Sequence, residues 1–238
     1  MCSSDLWQTA VSCSSGLAII AGLMVWLLGD GPHLPVKPGG VARRPLAVFR
    51  IPEFRVSALG YFGHMWEVYA FWALVPTLVA WHFVGASSKF VSIGSFAIVG
   101  TGGLGCVLGG MVSQRLGSYR VALISLSISG CCCLLFPLLG RDSGGLAFGL
   151  LLVWGISVAA DSPQFSALSA KACRGQNVGS ALAIQNSVGF AITMVAIELS
   201  GQFWQVYDSK VGWFLLIGPI FGIGSLVRYR VKRGGGVS

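Results

Sequence analysis

Two ionisable side chains interrupt a long apolar run and suggest proton or substrate chemistry. His64 and Glu67 lie three positions apart in the run 57–80, so a helix places them on one face. Glu67 lies ~16 Å along that helix, near the middle of a ~30 Å hydrocarbon core. An ionisable group at that depth is costly, which makes it a functional hypothesis by default. We expect Glu67 to couple a proton or bind substrate with His64 as its partner; the alternative is a protonated Glu67 that braces helices.

A polar interruption also occurs in the run 146–168, where Asp161 precedes Pro163 by two positions. Because proline leaves backbone carbonyls unpaired, such breaks are tolerated in a membrane where they line a cavity. Asp161 lies ~10 Å from the cytoplasmic edge of its helix. Gln185 and Asn186 reach a similar depth on the next helix. We expect these residues and the deep Trp72 to line or gate a cavity, with contacts that merely brace the helices as an equal alternative.

A short motif of glycine and arginine joins two apolar runs between residues 110 and 120. It contains Gly110, Arg115, Gly117 and Arg120. Glycines permit a tight turn there, and the arginines can interact with the carboxyl ends of helices. We therefore expect this segment to be a cytoplasmic loop.

The composition shows what kind of chain must position these residues. Hydrophobic residues make up 54% and charged residues only 10%, whereas a soluble domain is about one-quarter charged. The 34 glycines suit closely packed membrane helices. The net charge of +8 comes from short basic runs between apolar segments, a pattern that indicates membrane topology rather than nucleic-acid binding.

Seven apolar segments are long enough to cross a bilayer as helices at ~1.5 Å per residue. They are residues 10–28, 57–80, 90–112, 121–139, 146–168, 178–199 and 211–227. The pairs Gly105/Gly109, Gly145/Gly149 and Gly218/Gly222 have the spacing of close helix crossings. We therefore expect an all-α membrane protein of about seven transmembrane helices.

The basic residues indicate how these helices are oriented. The segments between the apolar runs alternate between the two sides of the membrane. In chain order, those on one side hold five, two, two and four Lys and Arg residues, and those on the other side hold none, one, one and one. Because positive residues remain in the cytoplasm, the amino terminus is expected outside and the carboxyl terminus inside. We expect an integral protein of a bacterial inner (plasma) membrane.

The gaps also divide the chain. Residues 1–9 are an extracytoplasmic start that has no obvious place in the pattern and 10–28 are one helix. Residues 29–56 are a basic linker, too rich in proline for a long helix. Residues 57–227 are a six-helix bundle, and 228–238 are a basic cytoplasmic tail.

This arrangement resembles the carboxyl-terminal half of a major facilitator superfamily transporter. Gly110, Arg115 and Gly117 are in register with that family's G-x-L-a-D-R-x-G-R-K loop, although Gln114 stands at the position of the acid. The basic linker before six helices is similar to the family's central loop. Residues 160–165 and 185–190 are similar to its tenth and eleventh helices, and the resemblance covers about residues 10 to 233.

The resemblance implies secondary active transport by alternating access between two six-helix halves. The first helix would correspond to the family's sixth helix and the bundle to helices seven through twelve. The implied partners are the lipid bilayer, a small-molecule substrate, protons, and an amino-terminal half that this chain does not supply. We expect no cofactor, no metal, no catalytic residue and no nucleic acid.

Three other functions are open on the sequence alone. A seven-helix receptor matches the helix count and the external amino terminus, but its last span has no lysine for retinal. An inactive transporter remnant is the second. An intramembrane enzyme is disfavoured because neither His-Glu-x-x-His nor Gly-x-Ser-Gly occurs.

Overall fold

The computed structural model of the chain describes residues 3–28, 45–173 and 178–234. All regular secondary structure within these ranges is helical. The all-α prediction is therefore confirmed for the described part of the chain. The chain forms two compact units, Met1–Gly40 and Val41–Ser238.

In the first unit, the described residues form one helix, α1 (Ser3–Leu28). It contains the predicted span 10–28 and begins several residues earlier, inside the predicted start 1–9. Residues 29–44 of the predicted linker lie outside the described residues.

The second unit begins with a short 3-10 helix, Pro45–Arg50, and then holds eight α-helices among its described residues. They are α2 (Pro52–His82), α3 (Ser88–Leu116), α4 (Ser118–Leu135), α5 (Gly144–Ala160), α6 (Ser162–Ala172), α7 (Val178–Tyr207), α8 (Val211–Leu215) and α9 (Ile217–Gly234). The helix bounds differ from the predicted spans at three places. The linker ends before α2 at residue 52 rather than at 56, because Pro52 occupies the first helical turn, where a missing N–H is not needed. The span 146–168 is divided into α5 and α6 at the polar interruption that the sequence predicts, and helix α9 continues into the predicted tail.

Five segments of the described chain are long and apolar enough to cross a membrane. They are Gln8–Leu28, Ser88–Leu116, Ser118–Leu138, Gly144–Ala172 and Val178–Arg228. These segments are compatible with an integral membrane protein. The number differs from the predicted seven for two reasons: α2 is not among them, and Val178–Arg228 holds two predicted spans. A 3-10 turn at Asp208–Lys210 interrupts that last segment, and Asp208 has a φ of 51°.

Helix α2 is the most enclosed helix of the second unit. It packs against α3, α5, α6, α7 and α9, and 17 of its 31 residues are buried. Other helices rather than lipid surround much of its surface, so α2 can carry polar side chains that a lipid-facing helix would expose at high cost.

The closest crossing on α3 depends on glycine. The buried positions of α3 are Ile98 and four glycines, which include Gly105 and Gly109. A Cβ at residue 105 would overlap the carbonyl oxygen of Ile156, and one at residue 109 would lie 2.7 Å from the carbonyl oxygen of Ala160. The predicted crossing at Gly105/Gly109 is therefore confirmed as the contact of α3 with α5.

A second glycine crossing joins α2 to α9, where a Cβ on Gly63 would overlap the carbonyl oxygen of Gly218. This contact confirms the close crossing predicted for Gly218/Gly222. The prediction for Gly145/Gly149 is wrong within this chain, because a Cβ at either position has nothing within 4 Å.

Candidate functional site

An ion pair between α2 and the α5–α6 junction is the first feature of the candidate site. Nδ1 of His64 lies 2.8 Å from Oδ1 of Asp161, and both side chains are buried. The oxygen is out of line with the ring N–H, so the contact is an electrostatic pair rather than a well-aligned hydrogen bond. The sequence had assigned these residues to separate features, and the fold brings them together.

The break after α5 holds Asp161 in this position. Asp161 ends α5, and its carbonyl accepts hydrogen bonds from the backbone N–H groups of Gln164 and Phe165. Pro163 has no N–H, which leaves the carbonyl of Ala159 without its usual helical donor. Sγ of Cys106 on α3 donates to that oxygen at 3.3 Å. The neighbouring helix therefore compensates for the proline break.

Glu67 lies at the centre of α2, with fifteen residues of the helix on either side. Its side chain is 0% exposed. Nε1 of Trp154 donates to Oε1 at 2.7 Å, and Sγ of Cys133 donates to the same oxygen at 3.3 Å. Oγ of Ser129 lies 3.1 Å from Oε2. The carboxyl group therefore joins α2 to both α4 and α5.

The Ser129 hydroxyl allows this site to hold Glu67 in either protonation state. Its oxygen is also 3.2 Å from the carbonyl of Leu126. When Glu67 is ionised, Ser129 can donate to Oε2. When Oε2 carries a proton, Glu67 can donate to Ser129, which then donates to Leu126. Neither state leaves a buried polar atom of this group unpaired.

A small cavity of about 100 Å³ lies beside the ion pair. Its lining includes His64, Tyr61, Tyr69 and Trp72 of α2, along with Cys106 of α3. Trp72 packs edge-on against Tyr69, with 5.1 Å between ring centroids. Nε1 of Trp72 is buried and has no hydrogen-bond partner among the described residues. The cavity therefore has a largely aromatic wall, and a buried, unpaired indole N–H lies on one of its lining residues.

Gln185 and Asn186 have different surroundings. Gln185 is buried on α7, and its Oε1 accepts a hydrogen bond from Ser169 of α6 at 2.5 Å. Ser169 also lies 2.8 Å from Ser57 of α2. Asn186 is exposed. The structure thus places Gln185 in a contact between helices, apart from the cavity-lining residues, and places Asn186 at the surface.

The predicted loop between residues 110 and 120 is mostly helical, so that expectation is wrong. Gly110 and Arg115 belong to α3, and Arg120 belongs to α4. Gly117 alone forms the turn, with a φ of 82° that side chains rarely adopt. Both arginines are exposed. The reversal needs only one residue because glycine permits this conformation.

Sequence reasoning missed the partners of Glu67, namely Trp154, Ser129 and Cys133. Each lies in an apolar run and is a residue type that membrane helices commonly contain. Trp154 and the pair Ser129/Cys133 are on different helices from Glu67, so only tertiary packing identifies them. The depth of Trp154 in its run was the one available indication.

Comparison with known proteins does not identify a family. No protein-family model matches the chain, and no curated protein matches it.

Proposed function

We propose that the chain is part of a proton-coupled secondary active transporter of the major facilitator type, which moves a small molecule across a bacterial plasma membrane. The observation that carries this proposal is the buried His64–Asp161 pair beside a cavity, at a helix break among helices apolar enough to span a membrane. Ionisable groups in such places commonly belong to substrate or ion pathways.

In this proposal Glu67 is the proton carrier. Its surroundings satisfy both the charged and the neutral carboxyl group through Ser129. A carrier must exist in both forms during a transport cycle, so a site that pairs both forms suits the task. Substrate in the cavity would act on the His64–Asp161 pair. Because His64 and Glu67 are both on α2, a change at the pair would be transmitted to Glu67.

The aromatic wall supports a substrate that has an apolar or aromatic body. The cavity is small for a drug-sized ligand, whose sites are usually ~300 Å³ or larger. We therefore propose that a second, amino-terminal six-helix half completes the binding site. Seven spans with the amino terminus outside belong to the same proposal.

The direct test is transport in proteoliposomes. The chain is expressed alone and joined to its upstream coding sequence, and uptake of labelled sugars, amino acids and cationic drugs is measured under an imposed pH gradient. Glu67→Gln should abolish gradient-driven uptake, and Asp161→Asn should reduce it by at least tenfold. Matched controls are Glu198→Gln and Asp142→Asn, because both acids are exposed. These controls should retain uptake.

Unchanged coupled uptake in Glu67→Gln would contradict the carrier assignment. If neither form of the chain transports any compound, the transporter proposal fails and an inactive remnant is favoured. Ligand binding without transport would favour the receptor alternative.

A further inference from the structure

A second groove runs between the first turns of α2 and residues 220–228 of α9. Its volume is about 870 Å³. Val56 and Leu59 of α2 form part of its wall, with Ile220 and Phe221 of α9. Ile220 is 62% exposed and Phe221 is 50% exposed. These side chains form an apolar channel that is open at the surface of the unit.

Two arginines belong to the same groove. Arg55 is the fourth residue of α2, and Arg228 lies in the second half of α9. Both are exposed. Glu53 precedes Arg55 by two residues, which places it about 200° around the helix from Arg55. The groove is therefore apolar with positive charge at one end.

The amino terminus of α2 lies at this end of the groove. The start of α2 has no side-chain cap on its first-turn N–H groups, so the positive end of the helix dipole is directed there. In the sequence, Arg55 and Arg228 belong to the two most basic gaps, 29–56 and 228–238. Positive residues are retained on the cytoplasmic side, where membranes carry anionic lipids.

We propose that this groove binds an anionic phospholipid, with the headgroup phosphate at Arg55 and Arg228 and an acyl chain along the apolar wall. Arginine recognises phosphate through paired N–H donors, and an exposed apolar channel suits a hydrocarbon chain. Neither feature alone specifies a lipid. Free phosphate could bind to the two arginines without the channel, and a detergent could bind in the channel without the arginines. Their combination requires one molecule with both parts. The proposal does not depend on transport.

The test measures lipid binding to the purified full chain in a neutral detergent. Native mass spectrometry is used to titrate the protein with phosphatidylglycerol and, separately, with phosphatidylcholine. We expect phosphatidylglycerol to bind at least fivefold more tightly. Arg55→Ala combined with Arg228→Ala should remove this preference, because each basic residue near an anionic lipid contributes roughly fivefold in affinity. Arg115→Ala combined with Lys171→Ala removes the same charge from exposed positions outside the groove and should leave the preference intact.

A second variant tests the channel and leaves both arginines in place. Gly224 lines the groove, and a Cβ there has nothing within 4 Å. Gly224→Phe should therefore fold normally, fill the channel and weaken phosphatidylglycerol binding several-fold. Gly149→Phe is the matched control, because that glycine is also open and lies outside the groove. It should bind lipid as the native chain does.

Several results would overturn the proposal. Equal affinity for the two lipids would remove the role of the arginines. Unchanged binding in Gly224→Phe would show that any basic surface suffices. Competition by inorganic phosphate at the same concentration as the lipid would show a small-anion site. A dimer that Gly224→Phe dissociates would show that a second copy of the chain occupies the groove.

Discussion

At the scale of single residues, the central feature is a carboxyl group that three donors from two other helices surround. Glu67 is buried at the midpoint of α2, and its partners are Trp154, Ser129 and Cys133. A buried carboxyl group without partners would be strongly destabilising, so these contacts are what make Glu67 tolerable in the core. Because Trp154 makes the shortest of the three contacts, it offers the clearest test.

Trp154→Phe removes the indole donor and leaves an acceptor of Glu67 without its closest partner. We expect the free energy of unfolding to fall by about 1–3 kcal/mol, because a short buried hydrogen bond to the carboxyl group is lost and only the longer contact with Cys133 remains on that oxygen. Thermal or denaturant unfolding in detergent measures the loss. In a Glu67→Met background the same substitution should cost less, since the acceptor is gone.

Trp213→Phe is the matched control for this substitution. Nε1 of Trp213 donates to the carbonyl of Leu134 at 3.2 Å, but the side chain is 42% exposed. Water can replace that hydrogen bond, so the control should change stability little. Equal losses in Trp154→Phe and Trp213→Phe would contradict the assigned role of the buried contact.

At the scale of helices, close backbone approach determines which neighbours α3 can have. Gly105 faces the carbonyl oxygen of Ile156 on α5, whereas Gly103 on the same helix has open space around its Cβ position. The two glycines are two positions apart, so they lie on nearly opposite sides of α3. They therefore form an internal comparison between a packed glycine and an open one.

Gly105→Ala should separate α3 from α5 and lower the unfolding temperature of the chain. Gly103→Ala should be neutral or raise the free energy of unfolding by up to about 1 kcal/mol, because alanine favours helix more than glycine does. The two variants are compared by thermal unfolding in one detergent. A Gly105→Ala variant as stable as Gly103→Ala would show that the helices separate without cost.

At the scale of the whole molecule, the number of membrane crossings depends on α2 and on the interruption at Asp208–Lys210. Apolar length alone identifies five segments, and neither α2 nor a division of Val178–Arg228 is among them. An enclosed helix can cross a membrane with polar residues that lipid would not tolerate, because protein surrounds those residues. The seven-span proposal requires both α2 and the two parts of Val178–Arg228 to cross.

Reporter fusions test this topology directly. Green fluorescent protein should fluoresce when it is fused after Arg50 or Gly117, on the cytoplasmic side. Alkaline phosphatase should be active after Gly85, Ser143 or Ser209, on the outer side. Reporters after Arg50 and Gly85 that indicate the same side would show that α2 does not cross.

The sequence by itself determined the general character of this protein. A charged fraction of only 10% and long apolar runs require helices, because a buried or lipid-facing backbone must satisfy its own hydrogen bonds. Spacing along the sequence was also sufficient to place His64 and Glu67 on one helix, although the contact partner of His64 is Asp161 rather than Glu67. Such properties depend on residues near one another in the chain, which is why they are visible without a structure.

Only the tertiary structure decided which helices meet at each polar side chain. It paired His64 with Asp161, enclosed Glu67 with Trp154, and placed Asn186 at the surface although its neighbour Gln185 is buried. It also showed that the segment predicted to be a loop reverses direction in a one-residue turn at Gly117. These outcomes depend on which helices can approach each other closely through their glycine faces. The helices have similar apolar composition, so only three-dimensional packing determines which of them are neighbours.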